Sequence, residues 1–175
     1  MNTLDAIFTR KSTRDYKSDM IPDEALETIL KAANAAPVAM AQYEKMHITV
    51  VQNESIIKEI NNLTSEMMFK KTGMRKNTDF GAKTMVLVSC APSLLSREME
   101  CASVGIIVEN MVIAATDLGI NSVILGGAPA IISQTEEIMK KLEIPEGFAP
   151  VLGAAFGYAT EDAPAKDHTI SVNRV

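Results

Sequence analysis

The chain has 175 residues, 47% apolar and 22% charged, with a formal net charge of −5 at pH 7. That length and balance suit a single globular domain over residues 1–175, and the acidic balance argues against a nucleic-acid-binding domain. No basic stretch leads into an apolar run at Met1-Asn-Thr-Leu-Asp, so no secretory signal is expected and the expected location is cytoplasmic.

Thr3 to Thr9 reads as a short helix with Leu4, Ile7 and Phe8 on one side, followed by the basic segment Arg10-Lys-Ser-Thr-Arg-Asp-Tyr16. Ile21-Pro-Asp-Glu24 marks a helix start, with proline and acids in the first turn. Leu26, Ile29, Leu30 and Ala33 continue it at helical spacing, and Pro37 requires it to stop by Ala36. Ile48–Val51 reads as a strand and Ser55 to about Met68 as a helix. Lys70 to Lys83 is polar and glycine-containing, and reads as a loop or lid. Met85–Ser89 is a continuous apolar run, the mark of an inner strand.

Met99 to Leu118 then runs about twenty residues without proline. At about 100° per residue, Glu100, Ser103, Asn110 and Asp117 fall on one narrow stripe of an otherwise apolar helix. Such a helix is either buried on most sides or spans a membrane. Glu109-Asn110 at its centre disfavours the span, because an acid there is costly in hydrocarbon. Glu109 lies off the polar stripe and, if buried, needs a partner. Ser122–Leu125 reads as a strand entering Gly126-Gly127-Ala128-Pro129. Ser133 or Thr135 is placed to cap a helix running to Leu142. Val151–Phe156 reads as a fourth strand whose glycine and alanines imply close packing. Thr169–Val172 alternates like an edge strand. Strands and helices in this irregular order predict an α+β fold: a central mixed or antiparallel sheet flanked by helices.

Three stretches are candidates for chemistry. In an extended chain Arg10, Ser12 and Arg14 point the same way, which suits a phosphate held by guanidinium groups. The alternative is that Arg10 and Lys11 only complement the negative end of the preceding helix. Leu125-Gly126-Gly127 lets a flat ligand approach bare backbone, or is a plain turn. The turn Ala36-Pro-Val-Ala-Met-Ala-Gln-Tyr43 offers small residues to wall a pocket and Gln42 to hydrogen-bond a planar ring, or packs on the core. His47 and His168 stand alone. Cys90 and Cys101 read as buried free thiols. Neither a Ser-His-Asp set nor a metal cluster can be assembled, so any redox chemistry is expected from a cofactor.

Taken together, these stretches resemble the nitroreductase-like family of FMN-dependent oxidoreductases. The resemblance rests on Arg10-Lys-Ser-Thr-Arg-Asp-Tyr after a short helix, and on Pro22-Asp-Glu-Ala-Leu-Glu-Thr-Ile-Leu-Lys-Ala-Ala leading to Ala36-Pro37. It continues in Ala114-Ala-Thr-Asp-Leu-Gly-Ile-Asn-Ser running into Gly126-Gly127, and in Val151-Leu-Gly-Ala-Ala-Phe-Gly-Tyr before a basic tail. The resemblance implies a homodimer with FMN at the subunit interface and the long helix buried there, with no membrane or nucleic-acid partner. It implies hydride transfer from NAD(P)H through the flavin to a small electron-poor acceptor, a nitroaromatic or a quinone. Alternatives on the same fold are a flavin carrier, or a flavin-fragmenting or dehalogenating enzyme.

By position, Arg10, Lys11, Ser12 and Arg14 would hold the phosphate and ribityl end. Lys166 and His168 would add basic groups from the tail, histidine being a departure. Leu125, Gly126 and Gly127 would lie against the ring. Pro37, Val38, Ala39, Met40 and Gln42 would line the pocket from the other subunit. There the family's serine, asparagine and tryptophan are missing, and Gln42 is the nearest substitute. No protein residue is assigned a catalytic step and no metal is expected. The shortness of the chain leaves the acceptor pocket open or formed by Lys70 to Asn77.

Overall fold

In the computed structural model, residues 2–75, 77–93, 96–161, 163–165 and 167–175 are described. The apolar run expected as an inner strand is β2, Thr84–Cys90, and every one of its residues is buried. It pairs antiparallel with β1, Met46–Val51, on one side and β4, Ala149–Gly157, on the other. β3, Asn121–Leu125, pairs antiparallel with β4, giving the order β1-β2-β4-β3. The named strands are thus all antiparallel. Among the described residues, a parallel contact enters at an isolated bridge between Ser12 and Ser122.

Side chains alternate across the pleat, so β2 feeds two cores. Val86, Val88 and Cys90 pack with Leu26, Ile29 and Ala33 of α2, Asp23–Asn34, and with Val104, Val108 and Met111 of α4, Arg97–Asp117. Met85 and Leu87 face Ile57 and Ile60 of α3, Glu54–Thr72. The same core takes Ile132 of α5, Gly127–Ile132, and Ile138 of α6, Glu136–Lys141. The close packing expected of β4 centres on Gly153. A Cβ there would stand 2.6 Å from the Val86 carbonyl oxygen and 3.3 Å from Leu87 Cα, both backbone atoms of the neighbouring strand. Gly153→Ala is therefore expected to destabilise the fold by about 1–3 kcal/mol, the usual cost of overpacking, read as a lower urea midpoint at unchanged m.

Helix ends account for several differences from the sequence expectations. The first helix, α1, spans Thr3–Thr9, with Asn2 Oδ1 accepting from the Asp5 amide at 3.0 Å. Its expected apolar side faces outward: Leu4, Ile7 and Phe8 are exposed and Ala6 is buried. α3 runs four residues past Met68, so Lys70–Thr72 are helical rather than loop. Lysines favour a helix C-terminus, and the stop comes at Gly73, whose φ of 72° suits glycine. The turn expected at Gly126–Pro129 is the start of α5, because a proline in the first turn lacks only an N–H that would have no partner inside the helix. Thr135 does precede α6 but does not cap it; its hydroxyl donates to the Ile131 carbonyl at 2.9 Å. Thr169–Val172 forms no strand, and Ile170 and Val172 are exposed with no ladder partner among the described residues.

The polar stripe of α4 points partly inward. Glu100 and Ser103 are buried, and Asn110 Nδ2 donates to the Ala32 carbonyl at 3.1 Å. Met99 and Ile106 are left exposed instead. α4 is the one described helix long and apolar enough to cross a membrane, and it lies packed against the sheet and α2. Cys90 is buried as expected, whereas Cys101 is only half-buried; both are free thiols.

Glu100 Oε1 accepts from the Ser93 amide and hydroxyl, each at 2.9 Å, and Oε2 accepts from Arg97 Nη1 at 3.1 Å. The Ser93 hydroxyl foremost, then Arg97, holds its carboxyl below the usual carboxylate range. A depressed pKa favours the fold at neutral pH, and that contribution is lost as the pH falls through the native value. Glu100→Gln is expected to flatten the acid limb of a stability-against-pH curve measured by urea unfolding.

Candidate active site

The segment after α1 is pinned along its length. Thr13 N–H donates to the Ser122 carbonyl at 2.9 Å, Tyr16 N–H to the Phe80 carbonyl at 3.1 Å, and Lys17 N–H to the Tyr158 carbonyl at 2.8 Å. This lays residues 12–17 along the β3 end of the sheet and across the start of the tail. Arg10, Lys11, Ser12 and Arg14 line one cavity of about 560 Å³, and His168 comes in from the tail with Thr160, Ala163 and Pro164. The expected basic residues therefore meet, with one exception: Lys166 lies outside the described residues. Asp15 and Glu161 line the same space, so the cavity is not uniformly positive. Lys11 Nζ donates to the Ala163 carbonyl, tying the two segments together.

Arg10 does more than complement the end of α1. Its Nε lies 3.9 Å from Glu109 Oε1, which supplies the partner sought for that acid, although Glu109 is half exposed rather than buried. Arg14 is exposed. Its nearest described polar contact is the Ser12 carbonyl at 3.5 Å, and no carboxylate lies within ion-pair distance of it among the described residues.

Arg14 also lines a second cavity, about 220 Å³, with Leu125, Gly126 and Gly127 on one wall. Thr64 and Met68 of α3 form another wall, and Asn77, Thr78 and Phe80 close it. Thr64 and Met68 were not singled out from sequence, whereas Asn77, Thr78 and Phe80 fall in the stretch 70–83 read as a loop or lid. Thr64 and Met68, four apart on a helix, share a face. Of the stretch 70–77 expected around an acceptor, Asn77 lines the cavity among the described residues.

Among the described residues, neither packing nor backbone conformation requires the two glycines on that wall. Gly126 has φ −105°, open to any residue. A Cβ on Gly126 would meet only Leu152 Cδ2, and one on Gly127 only Thr64 Cγ2, each at 3.9 Å, ordinary contact. Packing demands glycine at Gly153, and backbone conformation favours it at Gly73; neither reason holds here.

The turn at 37–42 stands elsewhere. Val38 lines a separate cavity of about 310 Å³ with Ala33, Tyr43, His47 and Ile107, and the Ala39 amide donates to Ser103 Oγ at 3.1 Å. Met40 and Ala41 both hold φ 54°, costly for residues other than glycine, and Met40 is exposed. Gln42 Oε1 is buried with no hydrogen-bond partner among the described residues. One chain by itself does not bring Pro37, Val38, Ala39, Met40 or Gln42 to the cavities that hold Arg14.

The chain as a whole is similar to known proteins. A protein of Archaeoglobus fulgidus with the provisional name NADH dehydrogenase/NAD(P)H nitroreductase is 32% identical over 166 residues, covering 91% of this chain and 86% of that one. The solved structure of a nitroreductase with bound FMN from Desulfitobacterium hafniense superposes with a TM-score of 0.85 at 26% identity, covering 99% of this chain and all of that one. A nitroreductase with bound FMN from Bacteroides fragilis gives 0.84 at 27% identity, covering all of this chain and 97% of that one. The model of the nitroreductase family matches residues 7–158, and on that match the chain belongs to the nitroreductase family.

Proposed function

We propose that residues 1–175 form one FMN-binding domain of an NAD(P)H oxidoreductase whose acceptor is a small electron-poor aromatic, a nitroaromatic or a quinone. The observation that carries this reading is the bare backbone at Gly126 and Gly127, required by neither packing nor backbone conformation among the described residues and facing a cavity shared with Arg14. That wall fits a flat ring, and the Arg10–Arg14 cavity next to it fits a phosphate. FMN held there would supply the hydride chemistry between a nicotinamide and the acceptor. The protein's share is position and charge. Arg14, with Arg10, Lys11, Ser12 and His168, holds the phosphate end by charge-assisted bonds. Lys166 is assigned to the same end by its sequence position.

The active form is a homodimer. α4 leaves Met99 and Ile106 exposed, and α1 leaves Leu4 and Phe8 exposed. The remoteness of the 37–42 turn from Arg14 is consistent with its serving the other subunit's pocket. Two free thiols suit a reducing cytoplasm.

The test is the visible spectrum of the purified protein. A flavin band is expected, bleached by NAD(P)H and restored by a quinone or nitroaromatic under anaerobic conditions. A protein that stays colourless after incubation with FMN rejects the proposal. A yellow protein that NAD(P)H does not bleach is a carrier instead.

Gly105 tests the dimer. A Cβ there would have nothing within 4 Å, so the fold tolerates substitution. Gly105→Arg places a charge in the shared face, and an uncompensated buried charge costs about 3–5 kcal/mol. The dimer dissociation constant is expected to rise at least about a hundredfold, read by sedimentation, with far-UV circular dichroism retained.

A further inference from the structure

We propose that Phe80 is a specificity-determining residue of this site, an aromatic wall that favours planar acceptors; the inference rests on the reading above.

Phe80 holds φ 56°, in the left-handed region, where a bulky residue is a true outlier. Gly81 follows at φ 83°, so two left-handed residues stand together and only the second is glycine. Glycine at position 80 would adopt this backbone conformation without steric cost. The surrounding bonds instead enforce the conformation. Asn77 Oδ1 accepts from the amides of Asp79 and Phe80 at 3.2 and 3.3 Å, and Asp79 Oδ1 accepts from the Gly81 amide at 2.8 Å. The Phe80 carbonyl accepts from the Tyr16 amide, and Asn61 Oδ1 anchors the amide and hydroxyl of Thr78 at 2.7 and 3.0 Å.

Strain fixed this firmly is concentrated at binding sites, and here it holds Phe80 in the lining of the cavity that Gly126, Gly127 and Arg14 also line. Phe80 is half-buried, packed against the core that holds Ile57 and Ile60 of α3, and it lines the cavity. An aromatic residue lining the cavity that takes the flat cofactor ring is placed to contact a second flat ring beside it, and contacts of that kind favour π-systems by offset or edge packing.

The experiment compares wild type, Phe80→Gly, Phe80→Leu and Phe80→Trp as FMN-loaded proteins. Each is assayed with 4-nitrobenzoate and with ferricyanide, a non-planar one-electron acceptor. Benzoate, which accepts no hydride, is titrated against the flavin spectrum as a binding readout. Phe80→Gly and Phe80→Leu are expected to lower the ratio of kcat/KM for 4-nitrobenzoate over ferricyanide by roughly tenfold, and to weaken benzoate by a similar factor. Phe80→Trp is expected to restore both to within about threefold of wild type. Phe80→Gly is expected to melt no lower than Phe80→Leu, because it sheds the backbone strain. A ratio unmoved in both variants, or lost without rescue by tryptophan, assigns Phe80 to core packing and overturns the inference alone. A colourless wild type overturns the parent reading with it.

Discussion

Replacing Arg14 with alanine is expected to weaken FMN binding by roughly 10- to 150-fold, because a hydrogen bond to a charged group is worth about 1.5–3 kcal/mol. Arg14 is the clean position for this test. It lines both the basic cavity and the one walled by Gly126 and Gly127, and no described carboxylate depends on it. Truncation strands no partner, so stability should stay within about 0.5 kcal/mol of wild type. Arg10→Ala would mix two effects, since it also releases Glu109 on α4. The measurement is quenching of FMN fluorescence on titration with apoprotein, repeated at rising salt. The wild-type constant should depend on ionic strength more steeply than that of Arg14→Ala. Equal affinities in the two proteins would remove Arg14 from the phosphate site.

The fold was legible where local pattern and tertiary environment agree. The apolar run of β2 stood out because both its faces are covered, and the small residues of β4 stood out because Gly153 meets the Val86 carbonyl. Reading failed where distant partners decide. The stripe of Glu100, Ser103 and Asn110 was visible as a periodicity, but its direction was not. Ser93, Arg97 and the Ala32 carbonyl satisfy these groups inside, and only the folded chain brings them there. α5 was missed because Gly-Gly-Ala-Pro favours a turn by propensity, whereas burial of Ala128, Pro129 and Ile132 pulls it into a helix.

Alternation in an extended chain put Arg10, Ser12 and Arg14 on one side, and they line one cavity, but spacing alone left open whether they serve a phosphate or the end of α1. The tie of Arg10 to Glu109, ninety-nine residues away, carries no local signal. The left-handed Phe80 is invisible in sequence for a related reason: phenylalanine does not prefer that conformation, and the bonds from Asn77, Asp79 and Tyr16 impose it.

Gly127→Val is expected to separate folding from cofactor binding. A Cβ at this position meets only Thr64 Cγ2 at 3.9 Å, and the first residue of α5 requires no unusual backbone angle. The variant should therefore fold and melt close to wild type. A ring lying on that backbone, however, would meet the added side chain directly. Overpacking of this kind costs about 1–3 kcal/mol, so FMN affinity should fall by roughly 5- to 150-fold. Gly127→Ala should give a smaller loss in the same direction, and provides the measurement if valine impairs folding. Gly153→Ala is the matched control, since its Cβ collides with β2 rather than with anything outside the chain. It should lose stability, while the fraction that remains folded binds FMN normally. Thermal melts of the apoproteins beside FMN titrations distinguish the two glycines. A Gly127→Val protein that binds FMN as tightly as wild type would mean that the ring lies elsewhere, and that the bare backbone of this wall serves some other contact.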